Sequence, residues 1–404
     1  MSKATPTLFP IEPDELAFAP EPEPLSDDYI IERGALFVDR RPYALDPYAA
    51  RNWGGRLHSL CSYQGKLKPS IAHFLVKWFT SPQSVVLDPM SGVGTIPLEA
   101  RRQGRQALAS DLSDLAVAVS RAKLEVVDGA SCRDVLAEMA DYIANGGSAL
   151  DNLVRTEEAD FGLNGPVTDY FHPETLRELL LARRFFALAD VERPEVACLL
   201  TAVLHILHGN RPYALSRRSH PVTPLKPSGE FVYKPLIAHL ERRLAVTLPE
   251  LAVLPGEGRA VKADFGALPI ETGSVDAVIT SPPFAQSLRF FSSNWMRLWF
   301  CGWKAGDFRQ RPAGYLESEQ KHSFDAAYRR FFSAMHELLA PEGLLVMHVG
   351  ATRRFDMADR LEGLLAPNFR LIYDGAEHLE DPESHGLIDK GSTVRHHFLF
   401  CRRV

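Results

Sequence analysis

A short turn after an apolar run carries the residues whose types most suggest chemistry. Residues 275–280 predict a strand, and the chain continues as Ser281-Pro282-Pro283-Phe284. The Ser281 hydroxyl and the Pro282 carbonyl are hydrogen-bond acceptors, and Pro283 restricts φ so that both stay aimed. Such a group suits a flat base, because the acceptors bind the two hydrogens of an exocyclic amine while Phe284 stacks on the ring. A Ser-Pro-Pro sequence is also found as a simple turn, and these residues alone leave both interpretations open.

A glycine loop further upstream suggests a nucleotide-type cofactor. A short apolar strand ends at Asp88 and continues into Gly92-x-Gly94, which begins a helix. Glycines let a ligand approach the backbone closely, and the helix N-terminus favours a negative group. Asp111 ends the next predicted strand, where a carboxylate accepts hydrogen bonds from ribose hydroxyls. A lone Gly-x-Gly also occurs as a plain strand-to-helix connection, but the second acid favours a nucleoside cofactor.

Together these two motifs resemble those of the S-adenosylmethionine-dependent DNA amino-methyltransferases. The first motif of that family reads Asp-Pro-Phe-x-Gly-x-Gly-Thr, and the fourth reads (Asp/Asn/Ser)-Pro-Pro-(Tyr/Phe). The corresponding stretches here are 88–95 and 281–284. A third stretch, 60–69, is similar to the family motif that precedes the first strand and lines the methionine end of the cofactor. The resemblance covers roughly residues 56–125 and 258–404.

The resemblance implies S-adenosylmethionine as cofactor and direct methyl transfer to an amine. A Ser-Pro-Pro fourth motif is typical of enzymes that act on N4 of cytosine, whereas Asn or Asp in its first position is typical of adenine enzymes. We therefore expect methylation of cytosine N4 in double-stranded DNA, with Ser281, Pro282, Pro283 and Phe284 as catalytic residues. The residues expected to bind the cofactor are Tyr63, Lys66, Pro69, Asp88, Pro89, Met90, Ser91, Gly92, Gly94, Thr95, Asp111, Leu112, Asp264, Phe265 and Ser281.

Three alternatives stay open at this point. The first is a DNA adenine-N6 methyltransferase. The second is an RNA guanine-N2 methyltransferase, because that group shares the form of residues 88–96 and resembles the stretch 95–100. Its fourth motif usually starts with Asp or Asn, which differs from Ser281. The third is a catalytically silent DNA-binding relative, which the two intact motifs disfavour.

Alternating short strands and helices predict an α/β, Rossmann-like seven-stranded methyltransferase sheet. Strands are predicted at 84–88, 106–111, 259–263, 275–280, 343–349, 369–374 and 394–402. The connection between the second and third strands is far longer than it needs to be, so we expect an inserted lobe there. The predicted organisation is an acidic, proline-rich tail at 1–34, a core at 35–125 and 257–404, and a mainly helical target-recognition lobe at 126–256.

The inserted lobe ends in a basic, proline-rich segment at 205–235 that suggests contact with DNA. Cationic side chains alternate there with aromatic ones, a combination that suits phosphates and base edges. The alternative is a strap that packs the lobe onto the core. The residues expected to contact DNA are Arg211, Arg217, Arg218, Lys226 and Lys234, together with Arg289 and Asn294 after the Ser-Pro-Pro turn.

Net charge and composition are compatible with this reading. The formal net charge is −6, and residues 1–29 alone carry −6, from seven acids and one lysine, so the remainder is formally neutral. A DNA-binding face needs only locally clustered positive charge. The five cysteines are scattered, and His205, His208 and His220 lack a nearby cysteine or carboxylate pair, so we expect no metal. No apolar run is long enough for a membrane span, and no leader precedes the core, so a cytoplasmic enzyme without membrane partners is expected. A cognate restriction endonuclease remains a partner to be tested.

Overall fold

A seven-stranded sheet forms the centre of the molecule. The computed structural model describes residues 25–50, 53–61, 63, 65–146, 160–163, 165–207, 232–285, 289–310, 312–378 and 393–404. The strands are β1 Val85–Asp88, β2 Gln106–Asp111, β3 Gly258–Lys262, β4 Val275–Thr280, β5 Leu339–Thr352, β6 Phe369–His378 and β7 Thr393–Arg403. Their order is β3-β2-β1-β4-β5-β7-β6, and β7 runs antiparallel to both of its neighbours. This is the sheet of the predicted fold class, which is confirmed.

Helices connect the strands and cover both faces of the sheet. Those before the third strand are α1 Asp27–Arg40, α2 Pro69–Phe79, α3 Thr95–Arg102, α4 Asp114–Leu124, α5 Gly129–Asn145, α6 Pro173–Leu188, α7 Pro194–Ile206 and α8 Leu236–Leu251. Those after the fourth strand are α9 Arg289–Ser293, α10 Trp295–Phe300, α11 Ala305–Arg309, α12 Leu316–Leu338 and α13 Met357–Glu362. Helix α12 is kinked at Ser323, whose backbone is not helical. No helix within these described ranges is both long and apolar enough to cross a membrane.

Apolar side chains of the central strands point to two separate layers. Val346 of β5 packs with Phe74 of α2 on one face, and Leu345 packs with Phe331 of α12 on the other. Parallel strands covered on both faces read as continuous apolar runs, which is why the sequence predicted the strands well. The layers leave the carboxyl ends of β1, β2 and β4 at one common edge.

Helix α1 corrects the predicted amino-terminal tail. Ser26 accepts a hydrogen bond from the Tyr29 amide and so caps the helix, and Ile30 and Phe37 are completely buried. Asp27 forms ion pairs with Arg370 and Arg402 on the last two strands. The tail boundary at residue 34 is therefore wrong, because residues 27–34 are helical and contribute to the core; residues 1–24 lie outside the described residues.

The described part of the insertion between β2 and β3 consists mainly of helices, and these helices do not form a separate hydrophobic core. Apolar residues of α5, α6, α7 and α8 belong to the same buried cluster as residues of α4 and α10. Thr201 of α7 donates a hydrogen bond of 3.2 Å to the carbonyl of Ala118 in α4. The described part of the insertion is therefore anchored on the helix that follows the acidic end of β2.

Candidate active site

The carboxyl ends of β1 and β4 are joined by a buried hydrogen bond. The Thr280 hydroxyl donates to Oδ1 of Asp88 at 2.8 Å, and the Met90 amide donates to the same oxygen at 3.2 Å. Burial raises the pKa of Asp88 to about 7, against the lowering effect of these two hydrogen bonds. The end of the strand that carries the glycine loop is thus fixed to the end of the strand that carries the Ser-Pro-Pro turn.

Two glycines of the loop adopt backbone angles that other residues rarely use. The φ of Gly92 is 50° and that of Gly94 is 65°. A Cβ at Gly92 would lie 3.1 Å from the Tyr63 ring, and a Cβ at Gly94 would lie 2.8 Å from the Ser120 hydroxyl. The loop therefore needs glycine both for its conformation and for its close contact with neighbouring side chains.

Asp111 organises the other side of the same loop. Its Oδ2 accepts from the Gly92 amide at 3.0 Å and its Oδ1 accepts from the Ser113 amide at 2.9 Å. Burial raises the pKa of Asp111 to about 6 although three backbone amides act in the opposite direction. A carboxylate held in this way at the end of β2 suits the two hydroxyls of a ribose.

The loop fits the predicted nucleoside cofactor in a further respect. Within the described residues, the buried hydroxyl of Thr95 has no hydrogen-bond partner. Thr95 begins α3, so this orphaned group lies at a helix N-terminus beside the glycine loop. A buried hydroxyl without a partner is unfavourable, and a ligand at the loop would supply the missing bond. Gly92, Gly94, Thr95 and Asp111 are therefore brought together as predicted.

Lys66 and Pro69, two predicted cofactor residues from the stretch 60–69, have structural roles. The Lys66 ammonium donates to the carbonyl of His58 at 2.7 Å, and burial lowers its pKa. Pro69 is buried at the first position of α2. Tyr63 differs from both, because its ring lies directly on the glycine loop. Of these three residues, Tyr63 alone touches the predicted cofactor loop through a contact that the structure records.

The segment 312–320, which we call the covering segment, closes the outer side of this region. Gly314 has a φ of 89°, and a Cβ there would lie 3.1 Å from Leu112 Cδ1 and 3.4 Å from Asp264 Oδ2. Burial raises the pKa of Tyr315, and the negative charge of Asp111 adds to the rise. The covering segment thus contacts Leu112 and Asp264, two of the predicted cofactor residues, just after the ends of β2 and β3.

Asp264 and Phe265 have contacts that the sequence did not predict. Arg330 of α12 donates to both carboxylate oxygens of Asp264 and also pairs with Glu319 at 2.9 Å. The Arg330 guanidinium lies over the Phe265 ring at 4.0 Å from its centroid. Phe265 is 4% exposed and packs on Phe331, so its side chain belongs to the core, and its contact with the cofactor stays a prediction.

The Ser-Pro-Pro turn follows β4 and lies beside β5. Thr280 pairs with Met347 in the parallel ladder, so the next residue, Ser281, comes level with His348. The Ser281 hydroxyl is 3.0 Å from Nδ1 of His348. The Pro283 carbonyl accepts a hydrogen bond from the side-chain amide of Gln320 at 3.0 Å. Among the described residues, none hydrogen-bonds the Pro282 carbonyl. The Ser281 hydroxyl and the Pro283 carbonyl are thus each held by a neighbouring side chain.

The Phe284 ring packs directly against Gly350 of β5, a position that has no side chain. A Cβ at Gly350 would lie 2.6 Å from two carbons of the Phe284 ring. The ring is also 5.5 Å from the His348 ring and 5.8 Å from the His396 ring, measured between centroids. Phe284 is therefore fixed beside Ser281 and is only half-buried, as an aromatic platform for a base requires.

His348 and His396 are site residues that the sequence analysis missed. Nε2 of His348 is 2.7 Å from Nδ1 of His396, which extends the contact from Ser281 into the sheet. Burial lowers the pKa of His348 well below its ordinary value. The only sequence signal was a single histidine within the apolar run 344–349, a pattern that the strand prediction treated as core.

The predicted DNA-contact residues are not all accessible. Asn294 is 1% exposed, and its side chain donates to the carbonyl of Phe290 at 3.0 Å, which does not favour its predicted DNA contact. Arg289 begins α9, and Lys234 is half-buried just before α8. The remaining candidates, Arg211, Arg217, Arg218 and Lys226, lie outside the described residues.

Residues 56–144 match the family UPF0020, described as an RMKL-like methyltransferase domain. The matched stretch contains the Gly92–Gly94 loop and both strand-end acids, Asp88 and Asp111. This match and the sheet order support an S-adenosylmethionine-dependent methyltransferase. The predicted cofactor is confirmed, and the predicted enzyme class is confirmed at this level. No curated protein matches this chain.

Solved methyltransferase structures are similar to this chain at low sequence identity. TrmN from Thermus thermophilus aligns with a TM-score of 0.35 and 15% identity over 86% of this chain and 53% of TrmN, so this chain spans about half the length of that protein. The rRNA methyltransferase aviRa from Streptomyces viridochromogenes aligns with a TM-score of 0.30 and 12% identity, over 85% of this chain and 88% of aviRa. Geranyl diphosphate C-methyltransferase from Streptomyces coelicolor A3(2) aligns with a TM-score of 0.34 and 9% identity, over 84% of this chain and 81% of that one. TM-scores this low carry no information on the substrate.

Proposed function

We propose that this methyltransferase methylates an exocyclic amine of a nucleobase, and that its target is N4 of cytosine in double-stranded DNA. One observation carries the proposal: the Ser281 hydroxyl lies 3.0 Å from a buried imidazole and next to the half-buried Phe284 ring, directly after β4. An acceptor and an aromatic face are thus held side by side. The Ser-Pro-Pro form of the turn supports cytosine over adenine through the resemblance described above.

The chemistry of such a transfer demands alignment. When bound, S-adenosylmethionine supplies an electrophilic methyl group on a positively charged sulfur. The amine nitrogen would take this methyl group, the electrons of the carbon–sulfur bond would stay on sulfur, and the nitrogen would lose one proton. Ser281 and the Pro282 carbonyl accept from the amine hydrogens and so aim its lone pair at the methyl group. Most of the rate enhancement would come from this orientation and from fixed dipoles.

The two halves of the proposed site are mechanically connected. Thr280 and Ser281 are consecutive, and the Thr280 hydroxyl is hydrogen-bonded to Asp88, which lies four positions before Gly92. The acceptor for the amine is therefore one residue away from an atom that is fixed relative to the cofactor loop. Small errors in this distance reduce a transfer rate strongly, which is why a rigid connection supports the proposal.

Double-stranded DNA requires that the target base leave its helix before it reaches Phe284. The proposed contacts to the phosphate backbone are Arg289 and Lys234, together with Arg211, Arg217, Arg218 and Lys226. A duplex partner and a cognate restriction endonuclease remain proposals that only binding experiments address.

An RNA guanine-N2 methyltransferase is the second candidate. It is favoured by the family match at residues 56–144, because the matched stretch includes 95–100, whose form resembles the RNA guanine enzymes. Guanine N2 is also an exocyclic amine, so Ser281 and Phe284 would act in the same way. The two candidates differ in the nucleic acid that is bound and in the shape of the base.

A product analysis separates the candidates. The purified protein is incubated with methyl-labelled S-adenosylmethionine and either duplex DNA or total RNA, and the products are digested to nucleosides and identified by mass. N4-methyldeoxycytidine supports the proposal. N6-methyldeoxyadenosine would correct the base, and N2-methylguanosine would favour the second candidate. Absence of label in every base would overturn the proposed function.

Ser281→Ala tests the assigned acceptor. We expect methyl transfer in a single turnover to slow on the order of 10²–10³-fold, as when one oriented catalytic group is removed, while the affinity for S-adenosylhomocysteine stays unchanged. Ser274→Ala is the matched control, because Ser274 lies at the other end of β4 and bonds only the carbonyl of Glu271 at 2.7 Å. A fully active Ser281→Ala enzyme would contradict the role of this hydroxyl.

A further inference from the structure

Three side chains from three neighbouring strands form a continuous line of hydrogen-bonding atoms. Ser281 follows β4, His348 lies in β5 and His396 lies in β7. The separations are 3.0 Å from the Ser281 hydroxyl to Nδ1 of His348 and 2.7 Å from Nε2 of His348 to Nδ1 of His396. The line therefore runs from the proposed amine site into the sheet.

Burial favours the neutral form of His348. The side chain is 4% exposed, and the pKa of His348 is lowered by burial and further by the neighbouring His396. A neutral imidazole has one nitrogen that donates and one that accepts. Because both ring nitrogens of His348 are engaged, the direction of one hydrogen bond determines the direction of the other.

Only two arrangements of the protons satisfy all the hydrogen bonds between Ser281, His348 and His396. In one of them Ser281 accepts a hydrogen bond from the substrate, and in the other it donates one. If Nε2 of His348 carries the proton, His348 donates to His396 and its Nδ1 accepts from the Ser281 hydroxyl. The serine oxygen then presents only lone pairs to the crevice. If Nδ1 carries the proton, His348 donates to Ser281, and the serine directs its own proton toward the substrate. The first arrangement binds an amine, and the second binds a carbonyl oxygen.

We propose that the His348–His396 pair is a positioning relay with two effects. It makes the Ser281 hydroxyl a hydrogen-bond acceptor, so that the site selects an amine over a carbonyl. The same pair receives the proton that the amine loses after methyl transfer. The inference rests on the proposed amine methylation but not on which base or nucleic acid carries the amine. The protons balance in three moves. The methylated amine gives one proton to the Ser281 oxygen, the hydroxyl proton passes to Nδ1 of His348, and the proton on Nε2 passes to Nδ1 of His396.

The environment of the relay keeps its geometry fixed. The Phe398 ring lies 4.9 Å from the His348 ring, and the Phe284 ring covers both imidazoles at 5.5 and 5.8 Å. These aromatic contacts hold the imidazole planes in position. An imidazole held in this way aligns Ser281 before the substrate arrives, which lowers the cost of alignment during the reaction.

The tautomer of His348 gives a test that does not need activity. Nitrogen-15 spectra of the histidine-labelled protein distinguish protonated from bare ring nitrogens, and the His348→Asn variant assigns the signals. We expect a neutral His348 with its proton on Nε2 and with Nδ1 bare. A proton on Nδ1 would overturn the inference even if the enzyme methylates an amine.

Kinetics of two His348 variants test the function of the relay. His348→Leu removes both nitrogens, whereas His348→Asn retains an acceptor near the former Nδ1 but cannot pass a proton on to His396. We expect the single-turnover rate per cofactor-binding site to fall about 10²-fold in His348→Leu, within the range for proton-transfer groups. His348→Asn is expected to recover part of that loss, and KM for the nucleic acid is expected to change little in both. A His348→Leu enzyme with the wild-type rate would overturn the relay.

His396→Leu tests the same relay from its outer end and covers the case in which His348→Leu does not fold. We expect a lower single-turnover rate with unchanged affinity for S-adenosylhomocysteine. His336→Asn serves as the control, because His336 lies in α12 and bonds the carbonyl of Val404 at 2.8 Å. An unchanged rate in His396→Leu would contradict the relay. If the wild-type protein methylates no base, the proposed function fails, and the tautomer measurement still decides the direction of the relay.

Discussion

The Thr280 hydroxyl and the Asp88 carboxyl form the hydrogen bond that unites the two halves of the site. Thr280 is completely buried and Asp88 is 3% exposed, so neither group exchanges this contact for water. The bond joins adjacent parallel strands just beyond their last ladder pairs. The distance between the cofactor loop and the Ser-Pro-Pro turn is thereby fixed by one side-chain contact.

Replacing Thr280 by Val tests the contribution of this bond. Valine keeps the shape of the side chain but removes one of the two donors to Oδ1 of the buried Asp88 carboxyl, the other being the Met90 amide, so we expect the free energy of unfolding to fall by about 2 kcal/mol. Urea unfolding measures the change. Thr280→Ser retains the hydroxyl and is expected to keep most of the stability. Equal losses in both variants would mean that packing of the methyl group, and not the hydrogen bond, is the stabilising feature.

Asp88 makes stability depend on pH in a defined direction. Its pKa rises from 3.8 to about 7 on folding, so the folded state binds this proton more tightly than the unfolded chain does. The stabilising contribution is therefore complete below pH 3.8 and is lost as pH rises through about 7. We expect the unfolding free energy of the wild type, relative to that of Asp88→Asn, to decrease from acid to neutral pH. A difference that does not vary with pH would contradict the shift.

Gly350→Ala tests the position of Phe284 without altering that ring. The new Cβ would lie 2.6 Å from two ring carbons, so the ring must move away from β5. We expect weaker binding of the nucleic acid, seen as a higher KM, with unchanged affinity for S-adenosylhomocysteine. Gly363→Ala is the control, because its Cβ would meet only the Arg360 carbonyl at 3.7 Å. An unchanged KM in Gly350→Ala would indicate that the ring position is unimportant for the substrate.

Gly314→Ala tests whether the covering segment contributes to cofactor binding. Its Cβ would approach Leu112 and Asp264, at the ends of β2 and β3. Gly302→Ala is a matched control, since Gly302 has a φ of 104° but no atom within 4 Å of a new Cβ. Both variants carry a backbone strain of about 1–2 kcal/mol. We expect calorimetry to show weaker binding of S-adenosylhomocysteine only in Gly314→Ala, and equal affinity in both would refute the assignment.

Phe37→Ala tests the corrected boundary of the folded region. Phe37 is completely buried against Phe398 and Trp78, so its truncation is expected to cost 3–5 kcal/mol, as is typical for a core phenylalanine. Ile31, on the same helix, is 42% exposed, and Ile31→Ala is expected to have a small effect. Chemical unfolding of the two variants measures the contrast. A small loss for Phe37→Ala would restore the interpretation of this region as a tail.

Local patterns predicted the strands and the cofactor loop because their signals are contiguous in sequence. The apolar runs before Asp88 and Ser281 end in turn residues, and both features are visible within a few positions. Helix α1 was missed because the partners of Ile30 and Phe37 are in the distant strands β6 and β7, and the neighbouring prolines and acids dominate the composition.

The contacts of His348 and Asp264 could not be predicted from the sequence, because they join residues that are far apart along the chain. Ser281 meets His348 across 67 positions, and His348 meets His396 across 48. A single histidine in an apolar strand gives no local signal of a partner so far away. Similarly, Asp264 reads as an open acceptor in the sequence, and only the kinked helix α12 brings Arg330 onto it.

The proposed relay depends on the register between β5 and the antiparallel strand β7. Gly350 stands opposite His396, and His348 stands opposite Phe398, in one specific register. A slip of a single residue would turn His396 to the opposite side of the sheet, since side chains alternate along a strand. Substitutions anywhere along these two strands that favour such a slip would disconnect Ser281 from its proton path while leaving the turn and the glycine loop intact. Catalytic defects are therefore expected at positions that touch no substrate.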